Sequence, residues 1–372
     1  MKKVLLGTSA LLGIGLMAGT AQASDGVKLS LGGFMKSFYG FTFDDDGQGE
    51  AGHDSNLDGV GTDGEVYFLG SVTLDNGITV GTRIELEAED SGDQIDAAYV
   101  YFKGGFGDIR VGSQGAVADN MYMLPPSSTA NFGVFSPAQI GSKLVISGFD
   151  PSPVSKPQSI AYYSPNFSGF SFGVSYVPEG GFEKQGDGVA DTFHPNRDAG
   201  DINHELEAGV HYDFEGDGWG LALGGALAYS GDIEEHGDDE FFAFNTGVNL
   251  SFGGLTVGTA FTYKDQQTIV DDDDSENGDE WSVGVGLAYN VDAWTVGAGW
   301  ALRNIENNTP ASDFEDNVTV QRVGVTGSYA MGPGIDLDAG LFYSWASGVD
   351  AAEATSDGYD SLEFSVGSSI TF

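Results

Sequence analysis

The chain of 372 residues carries 56 Asp and Glu against 14 Lys and Arg, a formal net charge of −42, and has no cysteine. This acidity excludes nucleic acid as a partner, because the phosphate backbone is itself polyanionic, and the lack of thiols excludes disulfides, thiolate metal sites and a cysteine nucleophile. With 58 glycines and 12% aromatics along its length, the chain reads as one large β domain.

In chain order the first feature is a secretory signal: Lys2 and Lys3, an apolar run from Val4 to Ala18, and the small-residue box Ala21-Gln22-Ala23. The expected products are a signal peptide, 1–23, and a mature domain, 24–372. Loss of Lys2 and Lys3 takes the net charge from −42 to −44. No other stretch approaches the ~20 consecutive apolar residues of a spanning helix, so any membrane embedding must come from strands.

From Val27 the odd positions Val27, Leu29, Leu31, Met35, Tyr39, Phe41 and Phe43 are mostly apolar, whereas the even ones include Lys28, Ser30, Lys36 and Thr42. This period of two marks a strand. The alternation returns in Val66 to Leu74 and, after Asp75-Asn76-Gly77, in Ile78 to Leu86, which reads as a hairpin. Continued to Phe372, the pattern gives sixteen strands. Short turns at Asp75 to Gly77, Gly104 to Gly107, Asn166 to Gly169, Glu215 to Gly218, Gly253-Gly254, Asp292-Ala293 and Met331 to Gly334 alternate with longer connections. The long ones include Asp44 to Asp63, Gln114 to Pro157, Glu179 to His204, Gln266 to Asp279, Asn304 to Asn317 and Ala346 to Asp360. Such sorting by length predicts an all-β, transmembrane antiparallel barrel with short periplasmic turns and long external loops. Trp219 and Trp294 beside short turns, and Tyr229, Tyr263, Trp281, Trp300 and Trp345 beside long loops, supply two aromatic girdles.

If the apolar parity faces lipid, the other parity puts Lys28, Lys36, Arg83, Arg110, Lys264, Arg303 and Arg322 in the lumen, with Glu85, Glu87, Glu205, Glu207, Asp336, Asp338 and Glu363. Charges of both signs on a pore wall set a transverse field; they also serve as ion pairs that brace the wall. Parity leaves Lys103 and Ser159 to Ser164 unassigned. The connection 114–157 is long and moderately apolar, with Met121, Met123, Phe132 and Phe135, and is expected to fold into the lumen and constrict it.

The first external loop reads Asp54-Ser55-Asn56-Leu57-Asp58-Gly59-Val60 and on to Glu65, the spacing of a calcium loop. Asp54, Asn56 and Asp58 would bind through side chains, Val60 through its carbonyl and Glu65 bidentately, around a structural Ca2+; a solvated acidic loop is the other reading. The acidic loops should gather cations at the mouth, including divalent ions that bridge lipopolysaccharide, and favour cations in transit. No histidine belongs to a nucleophile motif, so an enzyme is not expected.

Val27 to Gly33, Tyr163-Ser164-Pro165-Asn166-Phe167-Ser168-Gly169-Phe170, and Ser365-Val366-Gly367 running to Phe372 resemble the Gram-negative general porin family in content and order. The resemblance implies a sixteen-stranded homotrimer in the outer membrane, passing small hydrophilic solutes and ions by diffusion, with the third loop as constriction and the terminal Phe372 read by the barrel-assembly machinery. It aligns Arg83 and Arg110 with the basic wall of the constriction and 119–125 with the inward loop. Asp119 and Asp150 are the only acids in 114–157, fewer than many members of that family carry, so Glu85 and Glu87 are expected to share that role. A sugar-selective channel is the neighbouring alternative.

Overall fold

The structure is a computed structural model that describes residues 26–44, 57–88, 95–128, 133–135, 148–179, 202–233, 239–265, 277–307, 317–347 and 359–372. Among them the chain forms β1 (Lys28–Asp44), β2 (Asp58–Thr73), β3 (Thr79–Glu87), β4 (Ile95–Gly104), β5 (Gly107–Ser113), α1 (Val117–Met121), β6 (Gln158–Tyr163), β7 (Phe170–Glu179) and β8 (Ile202–Glu215). The remaining strands are β9 (Trp219–Ile233), β10 (Asp239–Phe252), β11 (Leu255–Asp265), β12 (Asn277–Val291), β13 (Trp294–Asn307), β14 (Asn317–Gly332), β15 (Ile335–Ser347) and β16 (Tyr359–Thr371). Each strand pairs antiparallel with its sequence neighbours, and β1 with β16, so the sheet closes on itself. Closure leaves no unpaired edge, which an apolar surrounding would penalise.

All seven short turns predicted from the sequence lie at the end that carries Phe372, and backbone hydrogen bonds link turn to turn. They run from Asp213 to Gly169, Gly253 to Gly218, Asn290 to Gly254, Ala330 to Ala293 and Thr371 to Gly334. At the seam Gly33 and Phe372 exchange N–H···O bonds of 3.0 Å in both directions. Gly169 shows why glycine sits here: it has φ +99, and an added Cβ would lie 2.1 Å from the Asp213 carbonyl oxygen.

The alternation reads correctly along the closing strand. Leu362, Phe364, Val366, Ile370 and Phe372 are exposed on the outer face, and Ser361, Glu363, Ser365 and Ser369 are buried within. The unassigned segments are now placed. Lys103 faces inward, 3.4 Å from Asp108, and Ser159, Ala161 and Tyr163 alternate inward against an outward Ile160. Strand ends reach two or three residues into several stretches read as loop, as at Ile202, Asn277 and Asn307, and the largest difference is at β2, which begins at Asp58. Its alternating Val60 and Thr62 pair with Tyr39 and Ser37, and the ladder simply continues.

The outer aromatic girdle contains a repeated device. Tyr39 donates to Asp58 at 2.6 Å, Tyr263 to Asp279 at 2.7 Å, Tyr343 to Asp360 at 2.8 Å and Trp300 to Gln321 at 3.3 Å, and the Tyr176 hydroxyl lies 2.6 Å from His204 Nδ1. In each case the partner sits on the following strand, two residues from the aromatic's direct opposite. An aromatic body on an apolar face with its polar tip satisfied suits an interface between lipid and water.

Candidate functional site

The described parts of the connection between Ser113 and Gln158 turn into the barrel. Its base is closed where Gln114 N–H donates to the Pro157 carbonyl at 3.3 Å and Ser113 Oγ to the Lys156 carbonyl at 2.8 Å. Its outgoing limb runs over the inner faces of β7 to β14, and small inward residues make the room. A Cβ at Gly209 would lie 2.6 Å from Met121 Cβ, one at Gly247 2.7 Å from Met123 Cβ, and one at Gly286 2.5 Å from the Pro126 carbonyl. Phe135 and Phe149 pack edge to face at 5.8 Å over Gly284, in a cluster with Phe38, Val320 and Phe342. Met121, Met123 and Phe135, which suit open water poorly, are thus buried against the wall, and Phe132 lies outside the described residues.

Polar wall residues fix the loop. The Glu207 carboxylate accepts from Ala118 N–H (2.8 Å), Ser152 Oγ (2.8 Å) and Ser175 Oγ (2.9 Å). Asn245 accepts from Met123 N–H (2.6 Å) and donates to the carbonyls of Met123 (3.1 Å) and Phe149 (3.2 Å) and to Thr262 Oγ1 (2.9 Å). Asn249 donates to the Leu124 carbonyl at 3.1 Å, and His211 Nε2 lies 2.8 Å from the Met121 carbonyl. Sequence reading missed Asn245, Asn249 and His211 as loop anchors. Their signal was available: polar residues of inward parity set among inward Gly and Ala, as with Asn245 between Ala243 and Gly247.

Opposite the loop, β2 to β6 present charges and rings. Arg83 pairs with Glu85 and lies 4.1 Å from the Tyr67 ring centroid. Arg110 bonds Asp108 at 3.1 Å and lies 4.5 Å from the Tyr163 ring and 5.7 Å from Tyr99. Each guanidinium is held by a carboxylate and by a π face, so its position is fixed. Lys156, on the loop's return, pairs with Asp96 and reaches Glu85 at 3.5 Å. The ring-lined wall of Tyr67, Tyr99, Tyr101 and Tyr163 is more aromatic than sequence parity suggested.

The predicted lumen residues therefore divide. Arg83, Glu85 and Arg110 come together on one wall. Glu87 joins Glu65 and Asp96, with carboxylate oxygens within 4.8 Å of one another, beside Lys156. Lys36 pairs with Asp63 at 2.9 Å, Arg303 with Glu280 at 2.7 Å, and Lys264 stands opposite Glu280 across β11 and β12. Arg322 is a correction: it points inward but is 0% exposed, bonded to Glu363 at 2.6 Å and stacked 4.5 Å from Phe342. It braces the wall and faces no water.

Asp119 lies in α1, beside Asp150. Burial, and then the Asp150 carboxylate, raise its pKa from 3.8 to about 7. Burial likewise raises that of Asp150.

The calcium loop also needs correction. Asp54 and Asn56 lie outside the described residues; Asp58 and Val60 belong to β2, facing outward, and Glu65 faces inward. The β1–β2 register is unbroken, so Asp58 and Glu65 stand on opposite faces of one sheet and cannot share an ion.

A family model described as Gram-negative porin matches residues 7–348. A monosaccharide porin of a Halomonas species and the major outer membrane protein of Halomonas elongata are each 28% identical over 196 residues, 50% of this chain and 52% of theirs. The matched stretch thus spans about half the length of these curated relatives. Among solved structures, a loop L8 deletion mutant of OmpT, an outer membrane protein of Vibrio cholerae, superposes with a TM-score of 0.62 at 14% identity, covering 94% of this chain and 100% of that one. The anion-selective porin from Comamonas acidovorans gives 0.58 at 16%, covering 93% and 100%. At these identities the likeness is one of fold.

Proposed function

The chain belongs to the Gram-negative porin family, and from that premise we propose that it is an outer-membrane channel for passive diffusion of small hydrophilic solutes and ions. The observation that carries this reading is a closed sixteen-stranded barrel whose lumen is narrowed by an anchored loop facing a wall of fixed charges. Family membership argues for a channel and against an enzyme. We further read the protein as exported, with residues 1–23 removed, delivered by the barrel-assembly machinery through Phe372, and contacting lipopolysaccharide through its acidic mouth.

Cation preference is part of the proposal. A net charge of −42 lowers the potential at the mouth and raises the local cation concentration. The fold alone does not decide the sign, since a structural neighbour is anion-selective. The test is the reversal potential of the full mature protein in a planar bilayer under a KCl gradient. Potassium preference is expected; chloride preference, or no conductance, overturns the reading.

A homotrimer is the expected assembly, supported by a sector of low wall. β5 and β6 have 7 and 6 residues, whereas β8 to β16 have 11 to 15 or, in β14, 16. Sugar selectivity is the second reading. It is favoured by the Tyr67, Tyr99, Tyr101 and Tyr163 wall and by the monosaccharide porin among the relatives. A sugar that binds there would interrupt the ion current in a concentration-dependent way.

A further inference from the structure

We propose that Glu207 and Asn245 are paired clamps that hold the constriction loop back against the β8 to β11 wall and so keep the passage open. The inference rests on the channel reading above and names the positioning residues of that same site.

Each clamp binds both limbs of the loop and one wall residue. Glu207 takes Ala118 from the outgoing limb, Ser152 from the returning limb and Ser175 from the wall. Asn245 takes Met123 from the outgoing limb, Phe149 from the returning limb and Thr262 from the wall. Both side chains are 3% exposed, so water does not compete for these bonds. Thr262 Oγ1 also donates to the Phe149 carbonyl at 2.9 Å, which ties the second clamp to the returning limb twice. The Glu207 carboxylate accepts three donors, and the Asn245 amide uses its oxygen and both N–H groups.

The arrangement also fixes the direction of the effect. Beyond its base, where Asn120 donates to the Tyr163 hydroxyl at 3.0 Å and Lys156 pairs with Glu85 at 3.5 Å, the described loop lies on the β7 to β14 side and faces the Arg83 and Arg110 wall of β3 to β5 across the lumen. With one clamp cut, the other still joins both limbs. With both cut, the limbs are released into the space between loop and basic wall.

The experiment compares single-channel currents of the mature protein with those of Glu207→Ala, Asn245→Ala and the double variant, each verified as folded by heat-modifiable gel migration. Glu207→Gln serves as the conservative change, since the Ser152 hydroxyl can turn to accept from the amide. Asn290→Ala, at a turn remote from the loop, serves as the control. Expected are near wild-type currents for Glu207→Gln and Asn290→Ala, small losses in the single variants, and frequent closures with at least about a twofold loss of mean current in the double variant. A folded double variant that conducts steadily at or above the wild-type level overturns the clamp. If the double variant does not fold, Asn245→Asp replaces it. There a carboxylate faces the Met123 and Phe149 carbonyls and repels them without leaving a cavity, and unchanged current again overturns the proposal. A wild-type protein that does not conduct refutes the channel reading instead, so the two failures are distinguishable.

Discussion

At the scale of single residues, the constriction is governed by which charges meet water and which are buried. Asp119 has a pKa raised to about 7 by burial and by Asp150, and Tyr122, Tyr163, Lys264, Glu205 and Glu207 are the other ionisable groups that interact with this pair. A raised carboxyl pKa means that the folded loop binds a proton the unfolded chain has released. The hold on the loop is therefore complete below the ordinary carboxylate range near 3.8 and is lost as pH rises through about 7. Brief closures should be rarer at pH ~5 than at pH ~8, and Asp119→Asn should flatten the profile while keeping the low-pH behaviour. A wild-type current with the same closure rate at both pH values would refute this. Parity in the sequence was enough to point Arg83, Arg110 and Arg322 inward. It could not tell that Arg322 would end at 0% exposure, because the strand pattern does not encode what the loop and the neighbouring Phe342 cover.

At the scale of elements, the strands were legible because an apolar and a polar face impose a period of two, and the seven tight turns because they need residues that tolerate positive φ. The start of β2 was missed because the acidic spacing from Asp54 to Glu65 suggested a loop, whereas pairing with β1 favours a strand over any residue pattern that alternates. The loop's seat was written in the sequence as inward Gly and Ala, yet unreadable there, since a small residue facing a lumen has no stated occupant until topology supplies one. Gly286 is the sharpest case. A Cβ would lie 2.5 Å from the Pro126 carbonyl, a backbone atom that cannot rotate away. Gly286→Val should push the Pro125 to Ser128 stretch off the wall at a cost of about 1–3 kcal/mol of local packing. The expected outcome is a barrel that folds but conducts less, whereas Gly327→Ala, with nothing within 4 Å of its Cβ, should conduct as wild type. Equal currents from both would place the loop elsewhere.

At the scale of the molecule, the uneven wall is a statement about its surroundings. A strand rises ~3.3 Å per residue and tilts ~45° in such barrels, so a six-residue strand lifts the wall only about 14 Å, short of the ~25 Å apolar band of a membrane barrel. β6 is that strand and β5 has 7 residues, yet Val111 and Ile160, directly paired across them, are 44% and 53% exposed on the outer face. Lipid alone would meet loop and backbone above this low sector, and backbone polar groups are costly there. In the homotrimer proposed above, neighbouring copies packed low wall to low wall would remove that conflict; β14, with 16 residues, would need no such cover. Ile160→Arg should therefore dissociate the oligomer in mild detergent while leaving each barrel folded, as measured by light scattering on unheated protein. Val325→Arg, 54% exposed on β14, should keep the oligomer and instead burden membrane insertion by the ~2–4 kcal/mol that a lipid-facing charge costs. If Ile160→Arg keeps its oligomeric mass and Val325→Arg loses it, the contact surface lies on the tall side of the barrel and the low wall needs another explanation.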